Sequence, residues 1–138
     1  MKLKRTIVAM LVVLFLSACR EEMSPLVAGS VSYATQGDVW IEKTLSQQQL
    51  QGLSLWLAQN SSNWGRCFIS PSGSTLNISL KHANGSSSSI SQLKFHSSQT
   101  TLMANRLSGS NLSEQPCALQ SFTQVDIESL HQLLELPR

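Results

Sequence analysis

The sequence predicts an α+β domain: a two-layer sandwich with an antiparallel sheet of about four to five strands and two helices on one face. Three observations predict it. Two segments, near residues 46–60 and 123–136, carry helix-start signals followed by apolar stripes at helical spacing. Between them, alternating apolar and polar residues surround an Asn84-Gly85 pair, the strongest short hairpin signal. Each helix and the sheet then has one apolar face, and stacking those faces is the economical way to bury all three.

The elements follow in chain order. Asp38 to Lys43 reads as a first strand, with Val39 and Ile41 on one face and Trp40 on the other. Ser46 is a suitable N-cap, Gln49 completes a capping box, and Leu45 and Leu50 hold the two positions of a hydrophobic staple. Leu50, Leu53 and Leu57 form a stripe widened by Trp56, and Asn60-Ser61-Ser62-Asn63 ends the helix. Cys67-Phe68-Ile69 reads as a short strand before a Pro71-Ser72-Gly73 turn. From Thr75 to His82, Leu76, Ile78 and Leu80 face one way and Asn77, Ser79 and Lys81 the other. A return strand runs from Ser86 to Ile90, with the serine run Ser86 to Ser89 as an exposed strand face. Alternation continues through Leu93 and Phe95, and Leu102 to Leu107 is a further strand before a break at Gly109-Ser110-Asn111. In the second helix Thr123 caps, Asp126 takes the third position, and Phe122 and Ile127 form the staple. Ile127, Leu130, Leu133 and Leu134 make the stripe, and Pro137 ends it. The shared start pattern of the two helices is read as two independent uses of one signal rather than a duplication.

The first 19 residues are of another kind. Met-Lys-Leu-Lys-Arg is a short basic head, Ile7 to Leu16 an uninterrupted apolar run, and Leu16-Ser17-Ala18-Cys19 a small-residue end. The pattern is that of an export signal. A bilayer-spanning helix needs ~20 apolar residues, and Arg20, Glu21 and Glu22 stop this run well short of that. Leu-Ser-Ala-Cys resembles the lipobox of bacterial lipoproteins. The resemblance covers residues 1–19 and implies cleavage before Cys19, a lipid on that cysteine, and anchorage in the cell envelope. In enterobacterial members an aspartate after the cysteine favours the inner membrane, so Arg20 implies the periplasmic leaflet of the outer membrane. The domain organisation that follows is residues 1–18 as signal, 19–37 as lipidated cysteine and tether, and 38–138 as one domain. Within the tether, Val31 to Tyr33 has the character of a weak edge strand.

Processing changes the charge. The whole chain is +2, and Lys2, Lys4 and Arg5 leave with the signal. Seven basic residues then face eight acidic ones, a net charge of −1. No basic patch remains for nucleic acid, whose phosphates require clustered Lys and Arg. Setting Cys19 aside leaves Cys67 and Cys117, which an oxidising envelope allows to pair and tie sheet to helix. The rival reading is two free thiols. A metal site is not expected, because Cys-x-x-Cys, His-x-His and His-x-x-x-His pairs are all missing from the sequence. No glycine-rich phosphate loop is present, so no cofactor is expected.

Catalysis has little support in the composition. No Gly-x-Ser-x-Gly elbow accompanies the abundant serines. Asp38 and Asp126 are the only aspartates, and Asp126 serves the helix cap. Glu42, beside Trp40 on a strand, is the one glutamate with an interesting neighbour. His82 is placed on the polar face before the turn and read as a solvated hairpin residue. The distinctive local feature is Asn63-Trp64-Gly65-Arg66, because Trp and Arg are common interface anchors. Trp64 is read as a core plug first and an interface residue second. Trp40 carries the same two readings, so the expected partner-binding residues are Trp64, Arg66 and Trp40. The expectation is a non-enzymatic, lipid-anchored binding protein that meets a protein partner in the periplasm, of inhibitor or immunity type; the alternative is a structural or assembly accessory of an envelope complex.

Overall fold

The computed structural model describes residues 23–67, 73–93, 99–107 and 117–137. Cys19 and the signal, Phe68-Ile69, Pro71-Ser72, Phe95 and Gly109-Ser110-Asn111 lie outside the described residues.

Among the described residues, seven strands and two helices follow in the order β1 (Leu26–Ala34), β2 (Trp40–Thr44), α1 (Gln47–Gln59), β3 (Gly65–Arg66), β4 (Ser74–His82), β5 (Ser87–Leu93), β6 (Thr100–Asn105), β7 (Cys117–Phe122) and α2 (Gln124–Leu133). The strands form one sheet in the order β2-β1-β4-β5-β6-β7-β3, and every neighbouring pair is antiparallel. The fold class is the expected α+β, with more strands than the four to five expected.

Both helix starts form as the sequence predicts. Ser46 accepts from the Gln49 amide and the Gln49 side chain accepts from the Ser46 amide, closing the capping box. Thr123 Oγ1 accepts from the Asp126 amide. Each staple pair, Leu45 with Leu50 and Phe122 with Ile127, is buried. The two helices meet at their ends: Gln49 Nε2 donates to Leu133 O at 3.5 Å and to Glu135 Oε2 at 3.4 Å.

Register explains the core. One row across the sheet reads Val31, Ile78, Ile90, Ala104 and Ala118, each at most 2 % exposed. This row joins Leu50, Leu53, Leu57, Ile127, Leu130 and Leu134 of the helical layer in one cluster. At ~25 cal/mol per Å² of apolar surface, burial on this face is the main stabilising term. The opposite face is mainly polar: Thr44, Ser30, Ser79, Ser89 and Asn105 form one row, and Glu42, Ser32, Asn77 and Ser91 the next, which continues into Met103 and Leu119. Its hydroxyls and amides partner each other, as in Ser91 Oγ to Asn77 Oδ1 at 2.8 Å and Asn105 Nδ2 to Ser89 Oγ at 3.4 Å.

The connection from β2 to β3 positions everything else. β2 and β3 are the two outer strands, so the chain leaves one edge, runs through α1 and rejoins the sheet at the other. Six strand spacings of ~4.8 Å make that span ~29 Å. A 13-residue helix covers ~20 Å of it.

Several expectations are corrected. The stretch read as tether contains β1, an interior strand between β2 and β4 with Val31 fully buried. Its small residues concealed it; Gly29 is required there, because a Cβ would come within 2.9 Å of Ser79 O and 3.2 Å of Leu45 Cδ1. His82 is 3 % exposed, not solvated. It shares strand parity with Leu76, Ile78 and Leu80 and therefore faces the core. In the serine run, Ser86 and Ser87 are exposed while Ser88, opposite Leu80, is buried. The Cys67–Cys117 disulfide forms with Cα atoms 5.8 Å apart, but it joins the end of β3 to the start of β7 rather than sheet to helix. β7 lies between Cys117 and α2, and its run Cys-Ala-Leu-Gln-Ser-Phe lacks clean alternation.

Candidate protein-docking edge

The three residues expected to bind a partner are separated by the fold. Trp64 is buried at 6 % exposure. Its ring meets Phe122 edge-on at 5.9 Å, and its Nε1 donates to Asn60 O at 2.8 Å. It is a core residue, as its first reading has it, and the interface reading is withdrawn. Phe122 also stacks obliquely on Trp56 at 5.1 Å, so the three rings close the core below β7. Arg66 is exposed on β3, at one edge of the sheet. Trp40 is exposed on β2, at the other. Across ~29 Å of sheet the two cannot contact one compact epitope together.

β2 is the unusual surface. A sheet edge normally carries charge, proline or brevity as protection against pairing. β3 has brevity, with two residues after the left-handed Asn63. β2 carries Glu42 and Lys43 in its second half but begins at three consecutive exposed apolar residues, Val39, Trp40 and Ile41, at 59 %, 47 % and 41 % exposure. The other large exposed apolar side chains, Val27, Leu55 and Val125, are scattered over β1, α1 and α2. Scattered apolar residues are ordinary, whereas here Val39 and Ile41 on one face of the strand and Trp40 on the other put apolar surface on both sides of a single edge.

The hairpin that presents this group is well determined. Thr35 N donates to Val39 O at 2.8 Å and Asp38 N to Thr35 O at 3.2 Å. Gly37 and Asp38 hold φ of 94° and 59°, the left-handed conformations a tight hairpin turn demands. Further along, Leu45 N donates to Gly29 O at 2.9 Å. Antiparallel strands alternate the direction of their backbone groups. Val39 and Leu45 point theirs at β1, so Ile41 and Lys43 do likewise. Trp40, Glu42 and Thr44 therefore turn their N–H and C=O outward, along the side of β2 that has no strand neighbour among the described residues.

Charge on the edge is uneven. Lys43 is engaged: its Nζ lies 3.3 Å from Glu135 O and 3.9 Å from Glu135 Oε2. Glu42, opposite Ser32, has no ion pair among the described residues, and neither has Asp38 in the turn. The uncompensated charge of the hairpin is therefore acidic.

The described histidines, His82 and His131, serve structure. His82 Nδ1 lies 2.8 Å from Ser24 O and Nε2 2.7 Å from Ser88 Oγ. Donation from Nδ1 to the carbonyl and acceptance at Nε2 from the hydroxyl satisfies both ring nitrogens. Ala83 N donates to Pro25 O at 2.8 Å and Asn84 N to Ser24 Oγ at 3.2 Å, so the segment entering β1 is fastened to the β4–β5 turn. His131 Nε2 donates to Gln92 Oε1 at 2.8 Å. Burial lowers its pKa below the usual value, against the raising effect of Glu128. Among the described residues no three His, Cys, Asp or Glu side chains are grouped to hold a metal. No helix among them is long and apolar enough to cross a membrane.

Sequence reasoning found Trp40 and its neighbour Glu42. It missed that Trp40 stands on a free edge, because the strand that makes β2 outermost, β1, was read as tether. Comparison with protein-family models, curated proteins and solved structures found no match to this chain.

Proposed function

We propose that the protein is a lipid-anchored, extracytoplasmic binding protein without catalytic activity, of inhibitor or immunity type, which grips a protein partner through the β1–β2 hairpin. The observation that supports the binding reading is the exposure of Val39, Trp40 and Ile41, apolar on both faces of the strand, at the start of an edge strand. Tryptophan is among the commonest interface anchors, and an edge of this kind invites pairing. The lipoprotein resemblance of Leu16-Ser17-Ala18-Cys19 supports the anchor.

The two parts fit together geometrically. Ser24 is fastened to the β4–β5 turn, and only four residues separate it from Cys19. A lipid on Cys19 would then hold that end of the domain within ~18 Å of the headgroups. β1 runs away from this end for nine residues, ~30 Å, before the chain turns into Trp40. The hairpin tip is thus the part of the domain farthest from its anchor along β1.

The test is a photo-cross-linking residue at Gln36 in intact cells, with one at Leu55 as control. An adduct from position 36, absent from position 55 and lost in a cooperatively folded Trp40→Ala protein, supports the reading. A soluble partner in the adduct fits the inhibitor form; a membrane complex would replace that form with an envelope-assembly role. Mass spectrometry of the mature N-terminus addresses the anchor, and a protein that begins elsewhere without added lipid would overturn it.

A further inference from the structure

We infer that the partner contributes an extended strand that pairs with β2 and sets a lysine or arginine against Glu42. The inference rests on the binding reading above and specifies its chemistry. Three features of the edge carry it. Trp40, Glu42 and Thr44 direct three N–H and three C=O groups outward in strand spacing, which is what an incoming strand bonds to. Their side chains share the polar face of the sheet, so residues of the incoming strand opposite them land on that face too. Glu42, at the centre of the three, has no cation among the described residues, because Lys43 is on the other face with Glu135.

The same features argue against a second copy of this chain. Antiparallel self-pairing centred on residue 42 sets Glu42 against Glu42, and centred on residue 43 it sets Lys43 against Lys43. Like charges directly opposite are destabilising. Centring on Ile41 avoids both but places Glu42 opposite Trp40, leaving the carboxylate without a countercharge. A foreign strand with a basic residue at the middle and apolar residues two positions to either side satisfies every outward group. The Trp40 ring then covers one of those apolar side chains.

A capped Val-Thr-Lys-Thr-Val peptide tests this, since its symmetry fits either strand direction. It is titrated into the purified protein, lipidated as the cell produces it and held in detergent micelles, with amide signals followed by NMR. The expected result is slowed solvent exchange at the Trp40, Glu42 and Thr44 amides, with Ile41 and Lys43 unchanged. Val-Thr-Glu-Thr-Val should bind about fivefold more weakly, and Glu42→Lys should reverse the preference. Glu42→Pro keeps the inward bonds to β1, removes one outward N–H and should weaken both peptides. Protection at other residues would overturn strand pairing on β2, equal binding of the two peptides would overturn the basic residue opposite Glu42, and a dimer in sedimentation that Glu42→Pro abolishes would replace the foreign strand by a second copy of this chain. If neither peptide binds while the Trp40-dependent adduct at position 36 persists, strand pairing fails and the binding reading stands; if that adduct is missing as well, both fail.

Discussion

Replacing Trp64 by alanine should cost most of the stability of this domain, and replacing Trp40 should not. The magnitude follows from burial. A tryptophan at 6 % exposure hides ~200 Å² of mainly apolar surface, worth ~5 kcal/mol at ~25 cal/mol per Å². Partial collapse of the cavity brings the expected loss to ~4 kcal/mol, within the usual range for buried Trp→Ala changes. The edge-on contact with Phe122 at 5.9 Å is part of that loss. At ~4 °C per kcal/mol for a domain of this size, melting should fall by ~15 °C. Trp64→Phe keeps a ring against Phe122 and loses the donation to Asn60 O, so it should cost only ~1–2 kcal/mol. Trp40 is half exposed on an edge, and its removal should cost at most ~2 kcal/mol. Thermal unfolding followed by circular dichroism measures all three. If Trp64→Ala melted within ~5 °C of the parent, or above Trp40→Ala, the core assignment of Trp64 would be wrong.

Reduction of the Cys67–Cys117 disulfide should cost ~4 kcal/mol, because it releases a 50-residue loop in the unfolded chain; paired melts with and without reductant check this. Stability should fall as pH drops through and below ~6.5, since His131 is held below its unfolded pKa and the unfolded chain takes the proton first; His131→Gln should flatten that slope in urea titrations between pH 7 and 5. His82→Ala should strip two hydrogen bonds and unfasten the segment before β1, seen as faster hydrogen exchange at the Ala83 amide, which bonds Pro25 O, ahead of any change in the β6–β7 amides. A His82→Ala protein with unchanged exchange at Ala83 would show that the fastening does not depend on the ring.

The starts of the two helices were legible to the residue because their signals are local, whereas the second helix ends at Leu133, before the Pro137 expected to stop it. A cap, a staple and a stripe all act within ten residues, so Ser46-x-x-Gln49 and Thr123-x-x-Asp126 specify their helices wherever the chain later folds. The β4–β5 hairpin was legible for the same reason: Asn84-Gly85 and the alternation of Leu76, Ile78 and Leu80 need no distant partner to be recognised.

Strand order was decided elsewhere. β1 is rich in small residues and is a strand only because β2 and β4 pair with it on both sides. β7 gains its place from β6, and β3 from β7 and the disulfide. Pairing between segments far apart in sequence is a property of the assembled sheet, and no window of residues contains it. The candidate site depends on that assembly. Trp40 and Trp64 look alike as residues in the chain, yet one lies at a free edge and the other under Phe122. By itself the sequence determined the helix starts and the β4–β5 hairpin, each through contacts close in the chain. Only the tertiary structure decided which tryptophan faces solvent, because exposure depends on which strand is outermost, and that is fixed by hydrogen bonds from β1 to β4 across more than forty residues.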